Sequence, residues 1–436
     1  MVECTTLNKN SKTNHGIVTA ALLCVFFSAV PILLASASAL SATSINLSND
    51  SSNASFPNVQ NVGNNVYLVW SEGSRGIFFR SSTNGGATFG TPIKISPTGG
   101  VAQFPLMTSN GSNIYVTWAQ SNNNVLQIYF VASTNNGVSF SPAKIVDNTP
   151  NTTDITPVIA SFGSFVYVGY NCGGASCIVS STNNGATFST PFQYASGPEP
   201  QVAAWGNNVY AVADSFSRTM MPVAVSHNNG ATFKVTRIAG GAGAEPWISA
   251  SGTNVIVAWE TKGNKSVVGI ATSINSGTTF SGASTLSTTT PNAWSPMTGI
   301  SGNTEYVAYR TDPGSSASQE FVSVSLDAGK TFASPIAIGI AGRDNSWPVT
   351  VPTNGPIAFV AWYVKTGASS SSSWEAVAVE TTNSGASWSS PIVLGRSLSE
   401  SDVATAAISS NGGTLFAVWT NATSSGNNQV FFAAGN

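Results

Sequence analysis

Short β-branched and aromatic runs recur along the chain, each alternating in period two and each bounded by turn residues. The first three are Val66-Tyr67-Leu68-Val69-Trp70, Ile114-Tyr115-Val116-Thr117-Trp118 and Val166-Tyr167-Val168-Gly169-Tyr170. The run returns at residues 209–213, 255–259, 305–309, 358–362 and 415–419, eight copies in all. Such patterning between turn signals predicts a strand. Thirteen residues before the end of six of these strands stands a proline: Pro57, Pro105, Pro157, Pro200, Pro246 and Pro296. Pro348 is one residue further away, and Ala406 holds the place in the last copy. Proline is tolerated at the first residue of a strand, where no ladder donor is lost. Each therefore predicts the start of an inner strand that precedes the aromatic one.

A turn motif follows each of the first seven aromatic strands. Its first copy is Ser82-Thr83-Asn84-Gly85-Gly86-Ala87-Thr88-Phe89. The turn residues are Asn84 and Gly86, Asn135 and Gly137, Asn183 and Gly185, Asn228 and Gly230, Asn275 and Gly277, Asp327 and Gly329, and Asn383 and Gly385. Asn and Asp bond their own backbone two residues on, and Gly supplies a positive φ without steric cost. The closing ring (Phe89, Phe140, Phe188, Phe233, Phe280, Phe332 or Trp388) is expected to turn inward and pin the hairpin. The motif reads as structural.

Gly86 and its six counterparts lie 45 to 56 residues apart. A period near fifty, with four short strands per unit, predicts an all-β propeller of four-stranded antiparallel blades. Eight aromatic strands against seven turns imply eight blades, with seven as the alternative if one unit is irregular. The eighth unit ends after its third strand, while Thr43-Ser44-Ile45-Asn46-Leu47-Ser48 matches the outer-strand pattern Thr91-Pro92-Ile93-Lys94-Ile95-Ser96. The N-terminal strand is thus expected to complete the last blade, which removes an exposed sheet edge. Residues 40–436 read as a single propeller domain, about 49 residues per blade from residue 43 onward.

Composition refines this picture. Only 8% of the 436 residues are charged, against about 25% in ordinary globular domains. With 16 basic and 18 acidic side chains, there is no electrostatic case for nucleic acid or an anionic membrane. Residues 17–35 form an apolar run after Lys9 and Lys12, followed by the small-residue sites Ala35-Ser36-Ala37 and Ala37-Ser38-Ala39. Residues 1–39 therefore read as a secretory signal peptide, the alternative being a retained anchor. Elsewhere no segment is long and apolar enough to span a bilayer. Cys4 and Cys24 fall in the signal segment, leaving Cys172 and Cys177 to form a loop-closing disulfide in an oxidising compartment. Seven Asn-x-Ser/Thr sequons begin at Asn46, Asn49, Asn53, Asn110, Asn151, Asn264 and Asn421, so export would permit glycosylation.

The turn motif resembles the Asp box, or BNR repeat, of the sialidase superfamily, Ser-x-Asp-x-Gly-x-x-Trp. The likeness spans seven windows from Ser82 to Trp388, with Asn for Asp in six copies and Phe for Trp in six. It implies the propeller fold. Sialidases also use three arginines to hold a carboxylate, an Asp acid/base and a Tyr nucleophile. Where that family carries its first arginine motif, this chain reads Ser55-Phe56-Pro57-Asn58, with no arginine.

In such a propeller two positions per blade should reach the face opposite the Asn/Gly turns. The residues before the prolines are Phe56, Phe104, Thr156, Glu199, Glu245, Ser295 and Trp347, with Thr405 in the last blade. Those after the aromatic strands are Ser71, Ala119, Asn171, Asp214, Glu260, Arg310, Tyr363 and Thr420. Charge gathers on blades four to seven. Glu199, Asp214, Glu245, Glu260, Trp294, Arg310, Arg343, Trp347 and Tyr363 are the ligand-binding candidates, with Arg218 close by. Arginine holds carboxylates in bidentate fashion, and flat rings suit the apolar face of a sugar. Neighbouring acids would raise one another's pKa and supply a general acid, or bind Ca²⁺; no other cofactor or metal is indicated. Solvated loop charges are the bland alternative. Three functions remain open: a secreted or surface propeller binding a glycan or cell-surface protein without catalysis, a sialidase-type exo-glycosidase, or a structural envelope component. No catalytic residue or oligomeric state follows from the pattern.

Overall fold

The computed structural model describes residues 44–122, 125–146, 156–215, 220–261, 265–287, 292–312, 317–367, 373–397, 408–411, 413–422 and 426–435. The signal segment, Arg218, the sequons at Asn151 and Asn264, Thr405 and the Trp347 side chain lie outside the described residues.

The chain is an all-β propeller of eight four-stranded antiparallel blades. The inner-to-outer order of strands is the sequence order in each of the first seven. Blade five is typical, with Ala244–Ser251, Asn254–Glu260, Val268–Ser273 and Ser284–Thr285. Blade seven carries one extra short strand, Thr353–Asn354, beside its second strand. The eighth blade is closed from the other end of the chain. Ile45 and Asn46 pair antiparallel with Phe432 and Phe431, giving Ile408–Asn411, Thr414–Ala422 and Asn428–Gly435 their outer strand. Side chains secure the closure, since Gln429 accepts from Ser48 Oγ and donates to the Ser52 carbonyl.

Blades pack through alternating faces of their aromatic strands. Trp70, Trp118, Trp259, Trp362 and Trp419 are fully buried in these seams, so they serve packing and not ligand stacking. The turns bond as their composition predicts. In the first, Ser82 Oγ accepts the Gly86 N–H at 2.9 Å and Asn84 Oδ1 accepts the Thr88 N–H at 2.9 Å. Asn84 Nδ2 donates to Thr88 Oγ1, whereas at Asp327 the hydroxyl of Thr331 donates to the carboxylate. Reversal of one hydroxyl lets Asn and Asp build the same turn. The closing rings are half-buried, and four of them meet a ring of the preceding blade edge-on, Phe89 4.9 Å from Phe432 and Phe140 4.8 Å from Phe79 among them, whereas Phe233 stacks on Phe192. Each turn thus fastens two blades together.

The prolines depart from expectation in an informative way. In blades one, two, five and six the inner strand begins before its proline, and the ladder skips two residues. Ala244 pairs with Glu260, and the next pair is Trp247 with Ala258. Proline has no N–H to give the ladder, so it and its predecessor bulge out together. The preceding residue is left-handed, with φ of +52° at Phe56, +54° at Phe104, +59° at Glu199, +49° at Glu245 and +49° at Ser295. For non-glycine residues this costs about 1–3 kcal/mol each. A bulge re-aims side chains, and here it turns them out of the sheet.

Candidate functional site

On blades four, five and six the left-handed residues before the prolines open onto one cleft of about 530 Å³. Its walls hold Glu199 and Gln201 from blade four, Glu245, Pro246, Trp247 and Glu260 from blade five, and Trp294, Ser295, Pro296, Met297 and Arg310 from blade six. Five candidates named from the sequence therefore meet: Glu199, Glu245, Glu260, Trp294 and Arg310.

Glu245, Glu260 and Arg310 are positioned by identifiable contacts. Glu245 is exposed, yet its backbone N–H donates to Asp214 Oδ1 at 2.9 Å and its Oε2 accepts from Ser295 Oγ at 2.7 Å. Ser295 is the bulge residue of the next blade, so neighbouring bulges are bonded side chain to side chain. Glu260 Oε1 accepts from Ser266 Oγ at 2.8 Å. Arg310 is the last residue but one of the second strand of blade six, opposite Trp294. Its guanidinium carbon sits 5.8 Å from the Trp294 ring centroid, in cation–π range. Arg310 Nε is buried without a hydrogen-bond partner.

Behind Arg310 stands a residue that the strand pattern conceals. Glu320 pairs with Arg310 across the second and third strands of blade six, fully buried, with neither carboxyl oxygen hydrogen-bonded. Burial drives its pKa well up while the charge of Arg310 pulls it back.

Other candidates lie elsewhere. Asp214 is buried and reaches the cleft only through Glu245. Arg343 bonds Glu375 Oε2 at 2.8 Å and the Lys365 carbonyl at 2.7 Å. Tyr363 is buried in the seam between blades seven and eight, where burial raises its pKa. Phe56 and Phe104 occupy the same bulge position on blades one and two, with ring centroids 4.4 Å apart. Trp247 and Gln201 line the cleft although sequence reading passed over them. The Glu-Pro and Ser-Pro pairs at strand starts were the available signal, because a bulge exposes the residues on either side of the proline. Cys172 and Cys177 form the expected disulfide. Among the described residues no three His, Cys, Asp or Glu side chains group closely enough to hold a metal ion, and no helix is long and apolar enough to cross a membrane.

No family model and no curated protein matches the chain. Among solved structures it is similar to a PL25 polysaccharide lyase, an ulvan lyase bound to -[GlcA(1-4)Rha3S]-, at 9% identity and a TM-score of 0.52, over 88% of this chain and 96% of that one. A protein of unknown function from Dyadobacter fermentans aligns at 12% identity and a TM-score of 0.45, over 90% and 97% of the two chains. The NanB sialidase of Streptococcus pneumoniae aligns at 13% identity and a TM-score of 0.38, over 72% and 66%. At such identities the likeness to the lyase is one of fold, and it places the chain among the β-propellers.

Proposed function

We propose that the chain is an exported propeller that binds a saccharide in the cleft of blades four to six without cleaving it. The observation that carries this reading is the convergence of Glu199, Glu245, Glu260, Arg310 and the Trp247 and Trp294 side chains on one concave site. Carboxylates and a guanidinium suit sugar hydroxyls, and indole faces suit the apolar face of a pyranose. The ulvan lyase of similar fold is bound to -[GlcA(1-4)Rha3S]-, but fold alone assigns no ligand. Export, with residues 1–39 removed as a signal peptide, is supported by the disulfide.

Hydrolysis is the second reading, because two carboxylates facing one saccharide can act as acid and base. A sialidase-type clamp is not favoured, since among the described residues Arg310 is the arginine that lines the cleft while Arg343 is bound to Glu375. The test is titration of the purified protein against an oligosaccharide panel, with parallel assay of fluorogenic glycosides. Binding that is lost in Glu245→Ala and Arg310→Ala and weakened in Asp214→Ala supports the proposal. Turnover of any glycoside transfers the case to a hydrolase. Absence of binding to every saccharide overturns it and leaves the structural role.

A further inference from the structure

We propose that Asn110 is an N-glycosylation site whose attached sugars lie across Phe162 and Trp205, at the end of the inner strands away from the cleft. This rests on the export reading above and concerns a different surface from the saccharide site.

Asn110-Gly111-Ser112 forms the tip of the hairpin joining the first two strands of blade two, and all three residues are exposed. Gly111 takes φ of +59° in this turn, so both the asparagine and the hydroxyl residue of the sequon stand in solvent. The Ser112 carbonyl accepts the Asn136 N–H at 2.9 Å, which ties the tip to the Asn/Gly turn of its blade. The proline bulge lies at the other end of the same inner strand. A modification at Asn110 therefore leaves the cleft end of the blades free.

The strand register also fixes the side on which Asn110 leaves its blade. Thr108 Oγ1 lies 3.1 Å from Ser161 Oγ of blade three. Residues two apart on a strand share a face, so Asn110 departs toward blade three as Thr108 does. Phe162 holds the equivalent place in blade three, the last residue before the hairpin glycine, and Trp205 holds it in blade four. Their rings lie 6.0 Å apart, tilted by 49°, and Trp205 is 43% exposed. In the remaining blades that place belongs to Val62, Ser251, Ser301, Asn354 and Asn411. The two rings thus stand on the two blades that follow Asn110 in the direction it points. Of the three asparagines at this place, Asn354 is followed by Gly-Pro and Asn411 by Gly-Gly, and only Asn110 begins a sequon.

Single exposed rings are ordinary, whereas adjoining ones mark a contact surface. Flat rings suit the apolar face of a sugar. A glycan tethered at the neighbouring hairpin meets them at a high effective concentration. Its attachment joins Asn110 Nδ2 to the anomeric carbon of a lipid-linked oligosaccharide. The bond from that carbon to the lipid phosphate oxygen breaks, the phosphate leaves with the electron pair, and Nδ2 gives one proton to solvent.

The test is peptide mass spectrometry of the chain recovered from outside the membrane of its native cells, as wild type, Ser112→Ala and Ser112→Thr. The rate of Trp205 oxidation by N-bromosuccinimide is read on the same samples. Residue 110 should carry a glycan in the wild type and in Ser112→Thr, and none in Ser112→Ala. Trp205 should oxidise about fivefold more slowly where the glycan is present, since a contact as strong as an aromatic pair favours the covered form by about that factor. An exported chain with unmodified Asn110 overturns the inference. A glycosylated chain whose Trp205 oxidises at the Ser112→Ala rate overturns the placing of the sugars on the rings. A chain that stays inside the membrane unmodified removes the export reading and this inference with it, whatever the cleft binds.

Discussion

Glu305 offers a direct measurement of what this scaffold tolerates. In the other seven blades its position is held by buried Val66, Ile114, Val166, Val209, Val255, Ala358 and Leu415. Glu305 is equally buried, and neither of its carboxyl oxygens has a hydrogen-bond partner. Burial, with a smaller contribution from the charge of Asp327, pushes its pKa from 4.5 up to about 8. The native state therefore keeps this proton to a higher pH than the unfolded chain does. Folding takes up a proton between those two values, so stability is greatest below the unfolded pKa and falls as pH rises toward the folded one. At about 1.4 kcal/mol per pH unit, the full penalty approaches roughly 5 kcal/mol once the carboxylate is ionised in the native state. Structural relaxation around the charge makes this a ceiling. Urea denaturation of the wild type, Glu305→Gln and Glu305→Val from pH 5 to pH 9 separates this group from all others. Both variants should gain on the wild type as pH rises, by several kcal/mol at the alkaline end, with the valine also restoring the aliphatic seam. A difference between variant and wild type that stays flat across the range would refute the assignment.

Two further outcomes test the frame and the site separately. Arg343→Ala should cost about 1–3 kcal/mol, because it removes the ion pair of the nearly buried Glu375 carboxylate, while leaving saccharide affinity unchanged; a loss of affinity equal to that of Arg310→Ala would return Arg343 to the ligand set. Gly137→Ala should lower stability by roughly 1–3 kcal/mol, since φ is +79° and a Cβ there would overlap the Phe79 ring of the neighbouring blade. A thermal midpoint unchanged from the wild type would show that the turn does not fasten the blades.

The repeat made most of the fold legible. Strand count, blade register and the N-terminal closure all followed from eight apolar runs and seven turns, because period-two patterning and turn chemistry are local properties. The site was legible only in part. Glu260 and Asp214 hold equivalent places after their strands, yet the second strand of blade four ends at Val212 whereas that of blade five includes Glu260. Two residues past its strand, Asp214 turns back to brace Glu245. Arg343 stands among the ligand-binding candidates by its place before the seventh inner strand, but its partner Glu375 lies 32 residues away on another strand, a pairing no local pattern signals. Glu320 and Glu305 were visible as acids within apolar strands. Their burial depends on the packing of one blade on the next, which sequence periodicity does not distinguish from an outward-facing position.

Strain by itself would have misdirected the search for function. The left-handed residue before the proline occurs at Phe56, Phe104, Glu199, Glu245 and Ser295 alike, so its cost is incurred by the architecture on blades with and without a cleft. What differs from blade to blade is the side chain that the bulge presents. Two phenylalanines pack against each other at a tilt on blades one and two, whereas two glutamates and a serine face a common cleft on blades four to six. An identical backbone device thus yields an apolar contact on one arc and a polar site on another. The scaffold supplies a fixed set of aimed positions, and the chemistry resides in which residues occupy them.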